Sequence, residues 1–327
     1  MAMGSTRRRI MRGLTFLVLC AVVVIMLFPF LFMILTAFKS EDQYLSGSGF
    51  SFDSWAELFN VLPVVQELVN STLVTAGAVA LIIVVSTTGG FAFAKLGFRG
   101  SGMVFLAILA GMMIPMQSII IPEFVNIARV AHLINQYPGA ILVYAALGAP
   151  FATYLMTTYY RGIPSELIEA ALMDGASHWQ VFRRLMLPLS VPAITTVAVL
   201  QFIQVWDDLL IGLLFLNQPQ VRTITVGLAV IQTGRVVNVP ALMAGSLLSA
   251  LPAVIVYLIF QRNLIQGLTM GGTNERARRT ADHRNRGAER LRRRRAPAGR
   301  GCAARRPGGA GGVRGTRSAC PDRPPRR

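Results

Sequence analysis

The sequence predicts an all-α integral membrane protein with six transmembrane helices. Of its 327 residues, 53% are hydrophobic and only 14% are charged, and the mean hydropathy is +0.53. Soluble domains carry more charge, about 25% of their residues. The chain also contains six long apolar runs without the alternation of polar and apolar residues that marks barrel strands. Since backbone groups in lipid must pair within their own segment, such runs predict a bundle of helices.

Each apolar run is long enough to cross the membrane once, because a helix needs about 20 mostly apolar residues to span the hydrocarbon. The runs are residues 14–38, 68–94, 103–124, 138–160, 185–213 and 240–260. The third and fifth runs contain prolines, which remove backbone donors and predict kinks. These kinks either shape the helices or serve a gate. They are expected at Pro115, Pro122, Pro188 and Pro192.

Basic residues are distributed unevenly between the two sets of segments that flank the runs. Lysine and arginine accumulate on the cytoplasmic side of membrane proteins. One set contains Arg7, Arg8, Arg9, Arg12, Lys95, Arg99, Arg161, Arg183, Arg184 and Arg262, whereas the opposite set contains only Lys39, Arg129, Arg222 and Arg235. This bias predicts that both termini are cytoplasmic. The first run is too long for a cleaved signal and no small-residue cleavage site follows it, so it is expected to be an uncleaved span.

A polar hairpin, residues 165–184, is predicted between the fourth and fifth runs on the cytoplasmic side. Ser165 is a candidate N-cap of a short helix that ends near Met173, and Gly175 stands where a C′ glycine ends a helix. Ser177 and Gln180 have the spacing of a capping box that begins a second helix. The hairpin is therefore expected to be two short helices joined by a sharp bend at Gly175.

The hairpin and the start of the fifth run carry a long spaced motif. It consists of Glu169-Ala170-Ala171, three residues, Gly175, nine further residues and then Leu185 with Leu187-Pro188. This pattern resembles the EAA loop of binding-protein-dependent ABC importer permeases, in which Ile usually occupies the position of Leu185. Flanking stretches at residues 113–117 and 267–272 are similar to maltose-type (MalG-like) carbohydrate-uptake subunits. The resemblance covers about residues 10–274.

The resemblance implies a type I ABC importer permease fold, with the hairpin as a cytoplasmic coupling helix lodged in a cleft of an ATPase subunit. It implies ATP-driven import of a sugar or related polyol that an extracytoplasmic solute-binding protein delivers. The implied partners are a second homologous permease subunit in a heterodimer, two ATPase subunits that bind ATP and Mg²⁺, and the lipid of the bacterial cytoplasmic membrane. The implied ATPase-coupling residues are Glu169, Ala170, Ala171, Asp174, Gly175, Leu185 and Pro188.

The chain divides into a basic cytoplasmic N-terminus (residues 1–13), a permease domain (14–274, with a core at about 66–262) and a tail (275–327). The tail holds 18 arginines, no lysine and four acidic residues, a net +14 of the chain's +17. Such a segment cannot bury enough apolar surface to fold, so we expect disorder. It is either a polybasic arm for anionic lipid or RNA, or an out-of-frame or artefactual extension. The composition favours the second interpretation, so no nucleic-acid partner is expected.

Polar and aromatic residues cluster near the end of the fifth run, at Gln201, Gln204, Trp206, Asp207 and Asp208. Gln201, Gln204 and Asp208 have the spacing of one helical face. Polar groups inside a membrane usually serve packing or passage. One interpretation is that these residues line the path of a solute, with Trp206 stacking on a sugar ring. The other is that they pair with neighbouring helices or lie near the outer interface. Asp207 occupies a position where MalG-like subunits usually have Asn.

No signature of enzymatic chemistry occurs in the sequence. It has no Walker-type phosphate loop, so any ATP and its Mg²⁺ are expected on a partner chain, with no cofactor in this one. It has no His-Glu-x-x-His motif, and its three cysteines lack metal or disulfide spacing. We therefore expect no catalytic and no metal-binding residues. The alternatives are an ABC permease for a non-sugar solute such as glycerol phosphate and an ATP-independent secondary transporter, against which the motif argues.

Overall fold

The computed structural model describes residues 3–232 and 238–261, and these residues are mostly helical. In chain order the helices are α1 (Met3–Ala37), α2 (Glu41–Ser46), α3 (Asp53–Val61), α4 (Val64–Phe91), α5 (Ser101–Gly111), α6 (Met116–Val125), α7 (Tyr137–Arg161), α8 (Glu166–Met173), α9 (His178–Val181), α10 (Leu187–Leu189), α11 (Val191–Trp206), α12 (Leu210–Phe215), α13 (Ile224–Gln232) and α14 (Val239–Gln261). Short π-helical turns extend three of them, at Ala92–Leu96, Asn126–Ala131 and Phe182–Met186. The predicted tail at 275–327 lies outside the described residues.

Four helices are long and apolar enough to cross a membrane alone: α1 from Met11 onward, α4 with its extension to Leu96, α7 and α14. Two bent combinations, α5 with α6 and α9–α10 with α11, bring the number to six if each is one span. The prediction of an all-α protein with six apolar spans is confirmed by this architecture. Two of the six predicted runs, however, differ from the observed helices.

The third predicted run, 103–124, is not one continuous helix. α5 ends at Gly111, α6 begins at Met116, and their axes differ by 97°. Pro115 causes this break, since it has no N–H to continue the helix and disfavours helical backbone at Ile114 before it. Its own backbone is extended, with φ −60° and ψ 130°. Pro122, by contrast, lies inside α6 without interrupting it.

The fifth predicted run, 185–213, is also interrupted. A bend of 72° at Ser190 separates the short helices before it from α11. The Ser190 hydroxyl donates to the carbonyl of Met186 at 2.8 Å, and Pro192 in the first turn of α11 has no N–H to donate. α11 then ends at Trp206, and α12 begins at Leu210. The run is therefore several helical pieces and not one continuous helix over 185–213, and its bend at Ser190 lies between the predicted kink positions Pro188 and Pro192.

The centre of the fold is formed by α4, α7 and α11, which pack on one another. Small residues permit this close approach, as is usual between membrane helices. Ala78, Ala152 and Ala193 are fully buried, one on each of the three helices. A Cβ at Gly90 of α4 would lie only 2.8 Å from the Cβ of Met156 on α7. The core is thus held by backbone-to-backbone proximity of these helices.

Most of α1 packs against nothing in the described part of the chain. Residues 11–32 are exposed along their whole length, whereas Thr36 and Ala37 at the end of the helix are buried. An apolar surface of this size is typical of a face that contacts lipid or another membrane protein.

Candidate functional site

The first helix of the hairpin, α8, carries Glu169, Ala170 and Ala171 and ends in a complete Schellman motif. The N–H of Gly175 donates to the carbonyl of Leu172, and the N–H of Ala176 donates to the carbonyl of Ala171, each at 3.0 Å. Gly175 has φ +85°, a left-handed conformation that glycine adopts without strain. The prediction of a C′ glycine at this position is confirmed.

The start of α8 differs from the expectation. Ser165 has helical backbone angles, φ −72° and ψ −23°, and its side chain makes no capping hydrogen bond, so the prediction of a Ser165 N-cap is wrong. The Lys95 ammonium approaches instead from the C-terminal end of the second span, α4 with its extension to Leu96. It donates to the carbonyl of Ile163 at 2.6 Å and to the Ser165 hydroxyl at 3.4 Å. The start of the hairpin is therefore hydrogen-bonded to the second span.

The second helix of the hairpin, α9, begins with the predicted capping box. The N–H of Gln180 donates to the Ser177 hydroxyl at 3.3 Å, and the N–H of Ser177 donates to the Gln180 side-chain oxygen at 2.8 Å. Both backbone donors are satisfied reciprocally. The bend between α8 and α9 is therefore closed on each side by local hydrogen bonds.

One side of the hairpin packs on the bundle, and apolar residues on its other side are exposed. Ile168, Val181 and Phe182 are buried in the core cluster that includes α4 and α7. Met173 is 88% exposed and Trp179 is 63% exposed. Of the predicted coupling residues, Ala171 and Leu185 are half-buried and the remainder are exposed: Glu169, Ala170, Asp174, Gly175 and Pro188. This exposed apolar surface has the character of a protein-binding surface.

A second candidate site is a cavity of about 720 Å³ at the bend between α5 and α6, bounded also by α7 and α11. Its walls are mainly apolar, and the polar side chains that line it are Glu123, Gln201 and Gln204. Small-molecule sites in proteins typically have this size, about 300–1,000 Å³, with a few polar groups on an apolar surface. Pro115, at the break between α5 and α6, is among the residues that line the cavity.

Gln201 is the most buried polar group of the cavity, at 2% exposed. Its amide has no hydrogen-bond partner within the described part of the chain. Gly148 on α7 makes room for it, because a Cβ at that position would overlap the Gln201 side-chain oxygen and lie 2.7 Å from Ile82 Cδ1. Because the residue also lines the cavity, its amide is available to hydrogen-bond a group that enters there.

The structure separates the five residues that were predicted to line a path. Gln201 and Gln204 lie together at the cavity. Trp206 is instead buried against α14, where its indole N–H donates to the carbonyl of Ser249 at 2.9 Å. Asp207 is the exposed C-terminal cap of α11; desolvation of its carboxyl group by neighbouring atoms raises the pKa of Asp207.

Asp208 lies beyond the end of α11, so it does not share a helical face with Gln201 and Gln204, and the prediction that it does is wrong. Its Oδ1 accepts hydrogen bonds from the Tyr144 hydroxyl at 3.0 Å and from the Ile211 N–H at 2.8 Å. The spacing was misleading because a helix end at Trp206 changes the direction of every later side chain.

Two acidic residues on the observed helices α4 and α6 were not singled out by the sequence analysis; Glu123 lies inside the third predicted run and Glu67 directly precedes the second. Glu123 on α6 is half-buried and lines the cavity. Glu67 in the first turn of α4 is fully buried, and neither of its carboxyl oxygens has a hydrogen-bond partner among the described residues. It packs against Gly227, where a Cβ would overlap the carboxyl group, while Arg222 attracts it electrostatically. An acidic residue in or beside an apolar run could have drawn attention to both positions, because ionisable groups within membrane segments usually serve a function.

Comparison with known proteins identifies the family. Residues 86–270, more than half of the chain, match the model described as "Binding-protein-dependent transport system inner membrane component". The chain belongs to this family. The permease is 33% identical over 257 residues to the arabinooligosaccharides transport system permease protein AraQ of Halalkalibacterium halodurans, covering 76% of this chain and 91% of the relative. It is 29% identical over 278 residues to the diacetylchitobiose uptake system permease protein NgcG of Streptomyces coelicolor, covering 83% and 91%.

A solved structure shows the same fold. The permease matches a chain from the crystal structure of a bacterial ABC transporter involved in the import of the acidic polysaccharide alginate, with a TM-score of 0.68 and 21% identity. The match covers 78% of the permease and 96% of that chain. The type I permease fold is thereby confirmed. The permease is a multi-pass membrane subunit of an ABC importer, a transport protein and not an enzyme, and ATP hydrolysis belongs to a partner ATPase.

Proposed function

We propose that the permease forms one half of the transmembrane path of an importer for a sugar or related polyol. The observation that carries the proposal is the buried Gln201 amide, which lines a cavity and has no partner within the described part of the chain. Gln204 lies beside it in the same cavity. Each amide offers two donors and one acceptor, and a hydroxyl group can both donate and accept. Polyhydroxylated solutes therefore suit this pair of side chains.

The relatives support the same class of solute. The names of two of them specify arabinooligosaccharides and diacetylchitobiose, both carbohydrates. The apolar walls of the cavity are also consistent with this class, since Phe151 and Val143 offer surfaces for the C–H faces of a sugar ring. Together these features favour a carbohydrate as the imported solute.

A second, homologous permease subunit is proposed to complete the path in a heterodimer. Gln204 is exposed in the single subunit although it lines the cavity, so another protein surface is needed to enclose the solute. Two ATPase subunits would bind ATP and Mg²⁺, and an extracytoplasmic solute-binding protein would deliver the solute. The outer segment 217–239 would contribute to the surface that receives this binding protein; its residues 233–237 lie outside the described chain.

Both termini are proposed to be cytoplasmic, as the distribution of basic residues predicts. This orientation places the hairpin on the side of the membrane where ATP is present. The exposed Met173 and Trp179 would then contact the ATPase. Because both of its helices are closed by local hydrogen bonds, the hairpin would transmit movement of the ATPase as a rigid lever to α11 and the cavity.

The test replaces Gln204 by Leu in the complete importer and measures uptake of a panel of radiolabelled oligosaccharides and polyols. The substitution keeps a similar volume but removes the amide, and each lost hydrogen bond is worth about 0.5–1.5 kcal/mol. Uptake should therefore fall about twofold to tenfold, while basal ATP hydrolysis by the purified complex is retained. Gln261→Leu, at the inner end of α14 and outside the cavity, is the matched control.

Two results would contradict the proposal. One is uptake of none of the panel by the unmodified importer. The other is unchanged uptake in both Gln204→Leu and Gln201→Leu, which would assign these amides to packing.

A further inference from the structure

Among residues 3–232 and 238–261, Glu123 is the one charged residue that lines the cavity described above. It lies on α6 one residue after Pro122, in the part of the third span that follows the bend, and it is half-buried. No hydrogen bond or ion pair to its carboxylate is present within residues 3–232 and 238–261. Its negative charge is therefore not neutralised by a direct partner in the described part of the subunit.

The position of Glu123 has consequences for any charged solute that enters the cavity. The walls around it are mainly apolar, so the field of the carboxylate is weakly screened there and reaches further than at an exposed surface. An anion in the cavity would lose hydration and meet a like charge. An uncharged polyol would instead offer hydroxyl donors, which a carboxylate accepts strongly.

We infer that Glu123 selects against anionic solutes, so that the permease transports uncharged polyhydroxyl compounds and rejects uronic acids and sugar phosphates. This inference rests on the proposed function, since it assumes that the solute passes through the cavity. It narrows the class of solute beyond what the two glutamines determine, because amides bind acidic and neutral sugars alike.

The test measures charge selectivity in the cavity with thiol reagents of opposite charge, in the purified and assembled importer. Cys20, Cys302 and Cys320 are first changed to serine, and Gln204→Cys then places a single thiol in the cavity. Its rate of reaction with the cationic trimethylammonioethyl methanethiosulfonate is divided by its rate with the anionic sulfonatoethyl methanethiosulfonate. Any effect of Glu123 on the reactivity of the thiol itself cancels in this ratio.

Glu123→Gln should lower the ratio of cationic to anionic rates by about threefold or more, because it removes a unit charge from a poorly screened space. Glu123→Asp keeps the charge and should leave the ratio within about twofold of the parent. Asp53→Asn removes a charge at the start of α3, which does not line the cavity, and should leave the ratio unchanged. An unchanged ratio in Glu123→Gln overturns the inference.

Failure of the proposed function would appear in a separate measurement. Labelling the thiol introduced by Gln204→Cys with either reagent should block uptake of whichever sugar of the panel the unlabelled importer transports. If the fully labelled importer transports that sugar normally, the cavity is not the path, whatever the ratio of rates. If labelling blocks uptake but the ratio does not respond to Glu123→Gln, only the selectivity assigned to Glu123 is wrong.

Discussion

Asp208 accepts hydrogen bonds from two different helices, through the Tyr144 hydroxyl of α7 and the Ile211 N–H of α12. Its own backbone carbonyl accepts a third, from the Thr225 hydroxyl of α13 at 3.1 Å. Three helices therefore meet at this one residue. Its position outside the cavity and its hydrogen bonds to these helices indicate a structural role, which is to connect the helices at the C-terminal end of α11.

Changing Asp208 to Ala should destabilise the subunit. It leaves the Tyr144 hydroxyl and the Ile211 N–H without their acceptor, at a cost of about 1–3 kcal/mol for each donor that remains buried. Asp208→Asn retains a side-chain oxygen and should lose much less. The measurement is thermal unfolding of the purified importer for both variants. If Asp208→Asn lowers uptake while stability stays unchanged, the residue acts on the solute and not as a connection between the helices.

At the scale of elements, the bend of the hairpin is fixed by local hydrogen bonds at the end of α8 and at the start of α9. The Schellman motif at Gly175 and the capping box at Ser177 lie only two residues apart, so the chain turns between α8 and α9 without an unsatisfied backbone donor in these caps. No atom lies within 4 Å of a Cβ built at Gly175. Glycine is needed there for backbone conformation alone and not for space.

Gly175→Val should abolish the stimulation of ATP hydrolysis by solute in the assembled importer. A left-handed backbone costs a non-glycine residue about 1–2 kcal/mol, and more when the residue is β-branched. Gly175→Asn is the matched control, because asparagine tolerates this conformation, and it should retain most of the stimulation. Normal stimulation in a Gly175→Val complex that assembles would show that the bend does not transmit movement.

The sequence predicted these caps because their determinants are local. Gly175 and the Ser177–Gln180 pair form their motifs within a few residues. The predicted Ser165 side-chain cap is absent because Ser165 has helical backbone angles, and its hydroxyl instead accepts a hydrogen bond from Lys95, seventy residues away. Apolar length located the spans but not their interruptions: Pro115 breaks the third span while Pro122 is tolerated in α6, a difference that depends on packing around each residue. The cavity lined by Glu123 lies at that break, so it could not be derived from periodicity alone.

At the scale of the whole molecule, the composition of the sequence changes sharply between the apolar bundle and the arginine-rich tail. The bundle contains the cavity and the hairpin, the two features on which the proposed function depends. Every contact described for the two sites lies within residues 3–261.

Removing residues 276–327 should therefore leave assembly and transport unchanged. A segment of this composition, almost without large apolar side chains, has little surface to contribute to a core. The measurement is co-purification of the truncated permease with its partner subunits, followed by sugar uptake. Loss of the ATPase subunits on truncation would show that the tail binds a partner.

The exposure of α1 bears on how the protein is inserted into the membrane. Residues 11–32 of α1 are apolar and exposed in the described part of the chain, so we expect this stretch to be stabilised by the bilayer and not by packing on α4, α7 and α11. We expect such a helix to insert into the membrane without waiting for α4, α7 and α11 to be synthesised, so that the later helices fold beside a chain that is already anchored.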